Sequence, residues 1–122
     1  MTERQRLGEF GERIAAYRLE ASGMRVVARN VRTRGGEIDL VAHDGDDIVC
    51  VEVRTRRAVP GLAAESLKPA KLRRMWQCAM DYCDALAIPP ERARIDVVSV
   101  DLAPGGQAAH VEHFRGIEIP DQ

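Results

Sequence analysis

Two short apolar segments, each carrying carboxylates, are joined by a turn, and this pairing constrains the fold more than any other feature. The segments cover residues 37–43 and 48–55, and Gly45-Asp46 lies in the turn between them. A glycine at the first central position favours a type II′ turn, which connects antiparallel strands. The sequence therefore predicts a β-hairpin with charged side chains in strands that are otherwise apolar.

The predicted turn determines which residues face each other across the hairpin. Counting back from a two-residue turn puts Asp39 opposite Glu52, and Glu37 opposite Arg54. Like charges that face each other destabilise an antiparallel pair. A divalent cation would relieve the repulsion, because Mg²⁺ binds carboxylate oxygens. Two other interpretations stay open: edge-strand charges that discourage aggregation, or a simple salt-bridged cross-strand set.

Alternation along the two strands predicts how their side chains are distributed. Successive residues point to opposite faces, so Asp39 would share a face with Glu37 and Val41. Glu52 would likewise share a face with Arg54. We therefore expect Asp39, Glu52 and Arg54 to converge on one patch.

The remaining elements complete a mixed α/β pattern. Thr2 and Gln5 form a capping-box pattern at the start of a helix, and Gly23 is a natural stop after it. Strands are predicted over residues 24–32, 94–102 and 109–117, and a second helix over 69–86, after a loop with Pro60 and Gly61. The order α-β-β-β-α-β-β over residues 1–122 predicts a single α/β domain, a mixed sheet flanked by helices.

The first helix offers a third carboxylate. Its main apolar stripe consists of Leu7, Phe10, Ile14, Tyr17 and Ala21. A second surface is built from small residues and a leucine: Gly8, Gly11, Ala15, Ala16 and Leu19. Glu12 projects from that second surface, whereas Glu9 pairs with Arg13 at the i, i+4 spacing of solvent-exposed helix charges. We prefer Glu12 as the functional carboxylate, with a solvated helix charge as the alternative.

Charge and cysteine content limit the function classes. The formal net charge of −1 gives no sign of general polyanion coating, yet residues 54–74 contain seven Lys and Arg against one Glu. This segment fits a localised anion site, or alternatively a solvated loop and helix start.

The three cysteines include no Cys-x-x-Cys pair, which favours free thiols in a reducing, cytoplasmic compartment. No apolar run approaches membrane-spanning length.

Two weaker patterns lie in the last third of the chain. His110-x-x-His113 would put its two rings on opposite faces of a strand, so we expect surface histidines and no metal pair. Asp96 lies within the apolar strand 94–102, where a structural role is one interpretation.

Six ordered motifs together resemble a known family. They are Gly8-x-x-Gly11-Glu12-x-x-Ala15, Arg29-Asn30-x-Arg32, Gly35-Gly36-Glu37-Ile38-Asp39-Leu40-Val41, Val51-Glu52-Val53-Arg54, Ala64-Glu65 with Lys71, and Ile95-Asp96-Val97-Val98. This set, spanning residues 8–102, closely resembles the YraN-like family of small bacterial proteins. That family is similar to the PD-(D/E)xK nucleases, especially the Holliday-junction resolvases.

The resemblance implies a restriction-endonuclease-like α-β-β-β-α-β core and a metal-dependent endonuclease acting on nucleic acid. Glu12, Asp39 and Glu52 match the helix glutamate, the strand aspartate and the glutamate of the Glu-x-Lys motif. They would bind Mg²⁺ or Mn²⁺. The expected partners are DNA, including branched DNA, and a second copy of the chain, with no membrane. The basic segment would contact flanking phosphates through Arg56, Arg57, Lys68, Arg73 and Arg74.

One position departs from the motif. Arg54 stands where these nucleases have lysine. A guanidinium can bind a phosphate through two hydrogen bonds, but it stays protonated and cannot act as a base. Lys71 or Lys68 would then supply the lysine, with Lys71 and Arg54 as catalytic candidates. The alternatives are a nucleic-acid-binding module that does not cut, and a protein-interaction adaptor.

Overall fold

The computed structural model describes residues 1–57 and 67–120. Within them lie α1 (Glu3–Ala21), β1 (Arg25–Thr33), β2 (Gly36–Asp44), β3 (Asp47–Arg56), α2 (Pro69–Ala85), β4 (Ala93–Leu102) and β5 (Ala108–Phe114), with a 3₁₀ turn at Pro90–Arg92. This order is the predicted one, although β5 is shorter than expected. The predicted loop at Pro60-Gly61 and the Ala64-Glu65 motif lie outside the described residues.

The strands form one mixed sheet in the order β1-β2-β3-β4-β5. Strands β3 and β4 are parallel, and the other neighbours are antiparallel. A parallel pair needs a long crossover connection, and α2 lies within it. Because β2 and β3 are interior strands, Asp39 and Glu52 are not edge-strand charges, and that interpretation of the carboxylates is wrong.

The hairpin register is the predicted one from Asp44↔Asp47 to Leu40↔Val51. Gly45 has φ +60°, as the first central residue of a type II′ turn requires. The described ladder ends at Leu40↔Val51, one residue before Asp39 and Glu52. Here Ile38 and Val41 both pack into the core beside α2, so the regular alternation is interrupted between them. The prediction that Asp39 shares a face with Val41 is therefore wrong.

Helix α1 packs on one face of the sheet through its small residues. Gly11, Ala15, Ala16 and Leu19 are buried, whereas Tyr17 is 76% exposed and does not belong to the buried stripe. A Cβ atom added to Gly11 would lie 1.8 Å from Thr55 Oγ1. Only a residue without a side chain allows this approach, which brings the next residue, Glu12, towards the β2–β3 pair.

Helix α2 packs on the opposite face. Met75, Cys78, Ala79 and Cys83 are its buried residues, and Leu86, the predicted last residue of the helix, lies just beyond it and is 56% exposed. Cys50, Cys78 and Cys83 are free, as predicted, and all three are buried. Burial raises the pKa of the Cys50 thiol to about 12. Neither α1 nor α2 is long and apolar enough to cross a membrane.

A polar network ties the sheet together near the hairpin turn. Asp96 is fully buried and accepts hydrogen bonds from Arg94 Nε at 3.1 Å, His113 Nε2 at 2.7 Å and the Gly116 N–H at 2.9 Å. Burial alone would raise the pKa of Asp96, but these hydrogen bonds hold it below its usual value. The side chain of His113 is only 6% exposed, so the expectation of a surface histidine is wrong there.

Candidate active site

An open cleft of about 630 Å³ lies between the first half of α1 and the end of β3. Its acidic residues include the three predicted carboxylates, and its basic residues come from both elements. The charged residues are Glu3, Glu12, Asp39, Glu52, Arg4, Arg54, Arg56 and Arg57. The structure thus brings Glu12, Asp39, Glu52 and Arg54 to one cleft, although the regular alternation of β2 is interrupted beside Asp39.

Asp39 lies where the β2–β3 ladder ends. Its Oδ2 accepts a hydrogen bond of 2.8 Å from the Val53 N–H, so the side chain satisfies a backbone donor of β3. Burial, then the charge of Glu52, and then the charges of Glu12 and Glu37 raise the pKa of Asp39 to about 7, against the lowering effect of the Val53 hydrogen bond. The folded chain therefore keeps the Asp39 carboxylate buried and close to other negative charges, and both conditions disfavour its ionised form.

Glu52 is buried and lies between two cationic side chains. Arg54 Nη1 is 3.7 Å and Lys71 Nζ is 3.6 Å from Glu52 Oε2. Both distances are those of ion pairs and exceed the usual range of hydrogen bonds. Lys71 comes from α2 and Arg54 from the same strand as Glu52. A lysine therefore lies beside Glu52 even though the motif position itself is arginine.

Glu12 is connected to the sheet through Asn30. Asn30 Nδ2 lies 3.2 Å from Glu12 Oε1 and 3.1 Å from Glu37 Oε1. Because both partners are carboxylates, the amide must present its N–H groups to them. Burial raises the pKa of Glu12; the charges of Glu37 and Glu9 add to this, and the hydrogen bond from Asn30 opposes it.

Asn30 was not among the predicted site residues. It has φ +49°, a left-handed conformation that Asn adopts more readily than most residues. The sequence signal for it was available in the Arg29-Asn30-x-Arg32 motif. No pattern in the sequence, however, indicates that the side chain bridges two carboxylates.

The predicted phosphate-contacting residues fall into two groups. Arg56 and Arg57 line the cleft, and Arg57 also pairs with Glu3 at 3.1 Å. Lys68 immediately precedes α2, and Arg73 and Arg74 lie in its first half. These three do not line the cleft in the part of the chain that the structure describes.

The donor chemistry of the cleft fits a hard divalent cation. In residues 1–57 and 67–120, no three His, Cys, Asp or Glu side chains are arranged to hold a metal ion by themselves. Mg²⁺ is nevertheless commonly bound through one or two carboxylates, with water and substrate phosphate completing its shell. Asp39 and Glu52 supply such a pair, and their mutual repulsion is what a cation would compensate.

The chain has a restriction-endonuclease-like fold, in which a five-strand mixed sheet carries helices on both faces. Among solved structures the chain is similar to the EndoMS–dsDNA2 complex, with a TM-score of 0.50 and 16% identity over 93% of this chain and 46% of that chain. A repair endonuclease from Pyrococcus abyssi has a TM-score of 0.46 and 19% identity over 92% of this chain and 47% of that one. The chain thus spans less than half of either protein.

The chain has much closer relatives at the level of sequence than these solved structures. The chain belongs to the uncharacterised protein family UPF0102, whose model matches residues 11–100. The UPF0102 protein of Kineococcus radiotolerans is 44% identical over 113 residues, 91% of this chain and 92% of the relative. The relative from Symbiobacterium thermophilum is 48% identical over 104 residues, 84% of this chain and 88% of its own. UPF0102 is the YraN family, so the predicted resemblance to the YraN-like family is confirmed.

Proposed function

We propose that this protein is a metal-dependent endonuclease that hydrolyses phosphodiester bonds in DNA, including branched DNA. The observation that carries the proposal is the convergence of Asp39 and Glu52 in a cleft that is also lined by Arg54, Arg56 and Arg57. Two carboxylates whose charges repel each other suit a cation, and the surrounding arginines suit the phosphate groups around it. A fold by itself does not define a function, whereas these side chains supply the chemistry that hydrolysis needs.

Each side chain of the cleft has a distinct proposed role. Asp39 and Glu52 would hold Mg²⁺ or Mn²⁺, with Glu12 acting directly or through water, and the cation would polarise the scissile phosphate. The Val53 N–H fixes the orientation of the Asp39 carboxylate at 2.8 Å. Arg54 would bind a phosphate oxygen pair.

Lys71 is the proposed replacement for the lysine of the motif. Its ammonium group lies 3.6 Å from Glu52, so it is available to stabilise negative charge that develops on the phosphate. We expect Lys71→Met to reduce cleavage at least about 100-fold, the scale seen when one such electrostatic donor is removed. Arg54→Lys should retain activity. If Lys71→Met cuts as fast as wild type, Lys71 does not replace the motif lysine.

The central test is cleavage of labelled single-stranded, duplex, flap and four-way-junction DNA in Mg²⁺, in Mn²⁺ and in EDTA. We expect cation-dependent cleavage by the wild type and none by Asp39→Ala. Asp46→Ala is the matched control, because Asp46 is exposed in the hairpin turn. Calorimetry with Mg²⁺ should show binding by the wild type and the control only. If Asp39→Ala binds the cation as wild type does, the metal-ligand assignment is wrong.

A second candidate is a nucleic-acid-binding module that does not cut. Arg54 favours it, since arginine cannot take part in proton transfer. Salt-dependent DNA binding with neither cation binding nor cleavage would support this function over hydrolysis.

Oligomeric state and location are further parts of the proposal. Resolvases of this fold act as dimers on two-fold junctions, so we expect a homodimer, and a monomeric mass in sedimentation at working concentration would contradict it. A cytoplasmic location is proposed from the three free thiols.

A further inference from the structure

Strand β1 forms one edge of the sheet and is strongly basic. Residues 25–34 contain Arg25, Arg29, Arg32 and Arg34 and no Asp or Glu, and all four arginines are exposed. Charged side chains commonly protect sheet edges against aggregation. The other edge strand, β5, carries Glu112 but no Lys or Arg, so four arginines exceed what edge protection needs. The asymmetry calls for a more specific role.

Arg29 lies on the face of the sheet that carries the cleft, and Arg32 lies on the same edge strand opposite Glu37. Arg29 pairs with Leu40 and Arg32 pairs with Glu37, and directly opposed residues of an antiparallel pair point to the same face. Leu40 packs in the core beneath α1, on the side of the sheet where Glu12 lies. Arg32 and Glu37 form no ion pair within 4 Å in the described residues, so this guanidinium is not held by its cross-strand neighbour.

Asn30 connects this edge to the carboxylates. It lies between the two arginines and, by the β1–β2 register, opposite Asp39. Its amide reaches Glu12 at 3.2 Å and Glu37 at 3.1 Å. The charge of Arg29 also acts on Glu12. Asn30 thus joins the β1 edge to Glu12 and Glu37, and this edge lies about 10 Å from β3 across two strand spacings.

We propose that Arg29 and Arg32 bind the phosphodiester backbone of DNA on the side of the carboxylates opposite Arg54, Arg56 and Arg57. The DNA strand would then cross the site between two basic flanks. The two arginine Cα atoms are separated by about 10 Å along the strand, which allows contact with different phosphates. The guanidinium group suits this role because it binds phosphate oxygens through two parallel hydrogen bonds. This inference rests on the proposed function for its ligand, but not on catalysis.

The test is fluorescence anisotropy with labelled duplex DNA in EDTA, so that no cleavage occurs. The double variant Arg29→Gln/Arg32→Gln is compared with Arg18→Gln/Arg25→Gln, which removes the same charge. Arg18 lies in the last turn of α1, and Arg25 lies next to His43 near the hairpin turn. Counterion release strengthens DNA binding by a factor of about 8 for each phosphate contact at 0.1 M salt. We therefore expect about 60-fold weaker binding for the first pair and less than about 3-fold for the second.

The salt dependence provides an independent readout. Loss of two phosphate contacts should reduce the slope of log K against log salt by about 1.8. Arg29→Lys/Arg32→Lys, which keeps both charges, should restore most of the affinity and the slope. Equal losses in the two Gln pairs, an unchanged slope, or no DNA binding by the wild type would each overturn the inference.

The outcomes separate this inference from the proposed hydrolysis. DNA binding that depends on Arg29 and Arg32 without any cleavage in Mg²⁺ would support the inference and refute the nuclease. Cleavage by the wild type with unchanged affinity of Arg29→Gln/Arg32→Gln would support the nuclease and refute the inference.

Discussion

Replacing Asp39 by Asn should stabilise the metal-free protein, and the gain should depend on pH. The neutral side chain keeps an oxygen that can accept the Val53 N–H, now 2.8 Å from Asp39 Oδ2, but it removes a buried negative charge. Burial and the charge of Glu52 raise the pKa of Asp39 from 3.8 to about 7. The Asp39 carboxyl group therefore binds its proton more tightly in the folded protein than in the unfolded chain.

The sign and size of the effect follow from linkage. The favourable contribution of protonated Asp39 is fully present below about pH 3.8 and is lost as the pH rises through about 7. At about 1.36 kcal/mol for each tenfold change in proton affinity, the full loss is about 4 kcal/mol. This is an upper bound, because the carboxylate can relax towards the open cleft. Asp39→Asn should thus match the wild type near pH 4 and exceed it by up to about 4 kcal/mol at pH 8.

The measurement is urea unfolding in EDTA between pH 4 and pH 8. Asp46→Asn, the same chemical change on an exposed turn residue, controls for the loss of one negative charge. Adding Mg²⁺ at pH 8 should raise the stability of the wild type but not of Asp39→Asn, since a bound ligand stabilises only the form that binds it. If the two proteins keep a constant difference across this pH range, Asp39 does not carry a raised pKa and the electrostatic argument for a cation fails.

Three further substitutions test the structure around the site. Gly11→Ala would place Cβ 1.8 Å from Thr55 Oγ1 and should cost about 1–3 kcal/mol; an unchanged urea midpoint would show that α1 does not approach β3 so closely. Asn30→Ala should destabilise more than Asn30→Gly, because only glycine adopts φ +49° without strain; thermal melting checks the order. Arg94→Ala leaves the buried Asp96 carboxylate without its cation and should cost about 3 kcal/mol at pH 7. Because the pKa of Asp96 is lowered, that cost should shrink in acid as Asp96 becomes protonated, and an equal cost at pH 3 would contradict this role.

Local sequence patterns were sufficient to predict the order of the helices and strands and the register of the β2–β3 hairpin. The capping box at Thr2 and Gln5 is present, and the Gly45 turn gives the register that reaches Leu40↔Val51. Turn geometry and helix capping depend on a few neighbouring residues, so the sequence determines them directly. The same register predicts that Asp39 and Glu52 lie close together, and both line one cleft.

Long-range packing decided what the periodic patterns could not. Tyr17 fits the apolar stripe of α1 but is 76% exposed. The fully buried face is the one with Gly11, whose lack of a side chain allows the close approach to Thr55. His113 fits a surface strand position, yet the buried Asp96 requires it as a hydrogen-bond donor. Such requirements exist only once distant strands are paired.

The candidate site also has parts that local sequence patterns predict and parts that depend on long-range packing. The sequence by itself indicated that Asp39 and Glu52 lie close together, because charges in apolar strands stand out and the hairpin turn sets their register. Only the tertiary structure decided that Lys71 lies 3.6 Å from Glu52 and that Asn30 bridges Glu12 and Glu37. Lys71 comes from a helix reached across a crossover, and Asn30 comes from an irregular position in an edge strand. Neither placement follows from local periodicity, since both depend on how the helices and strands pack.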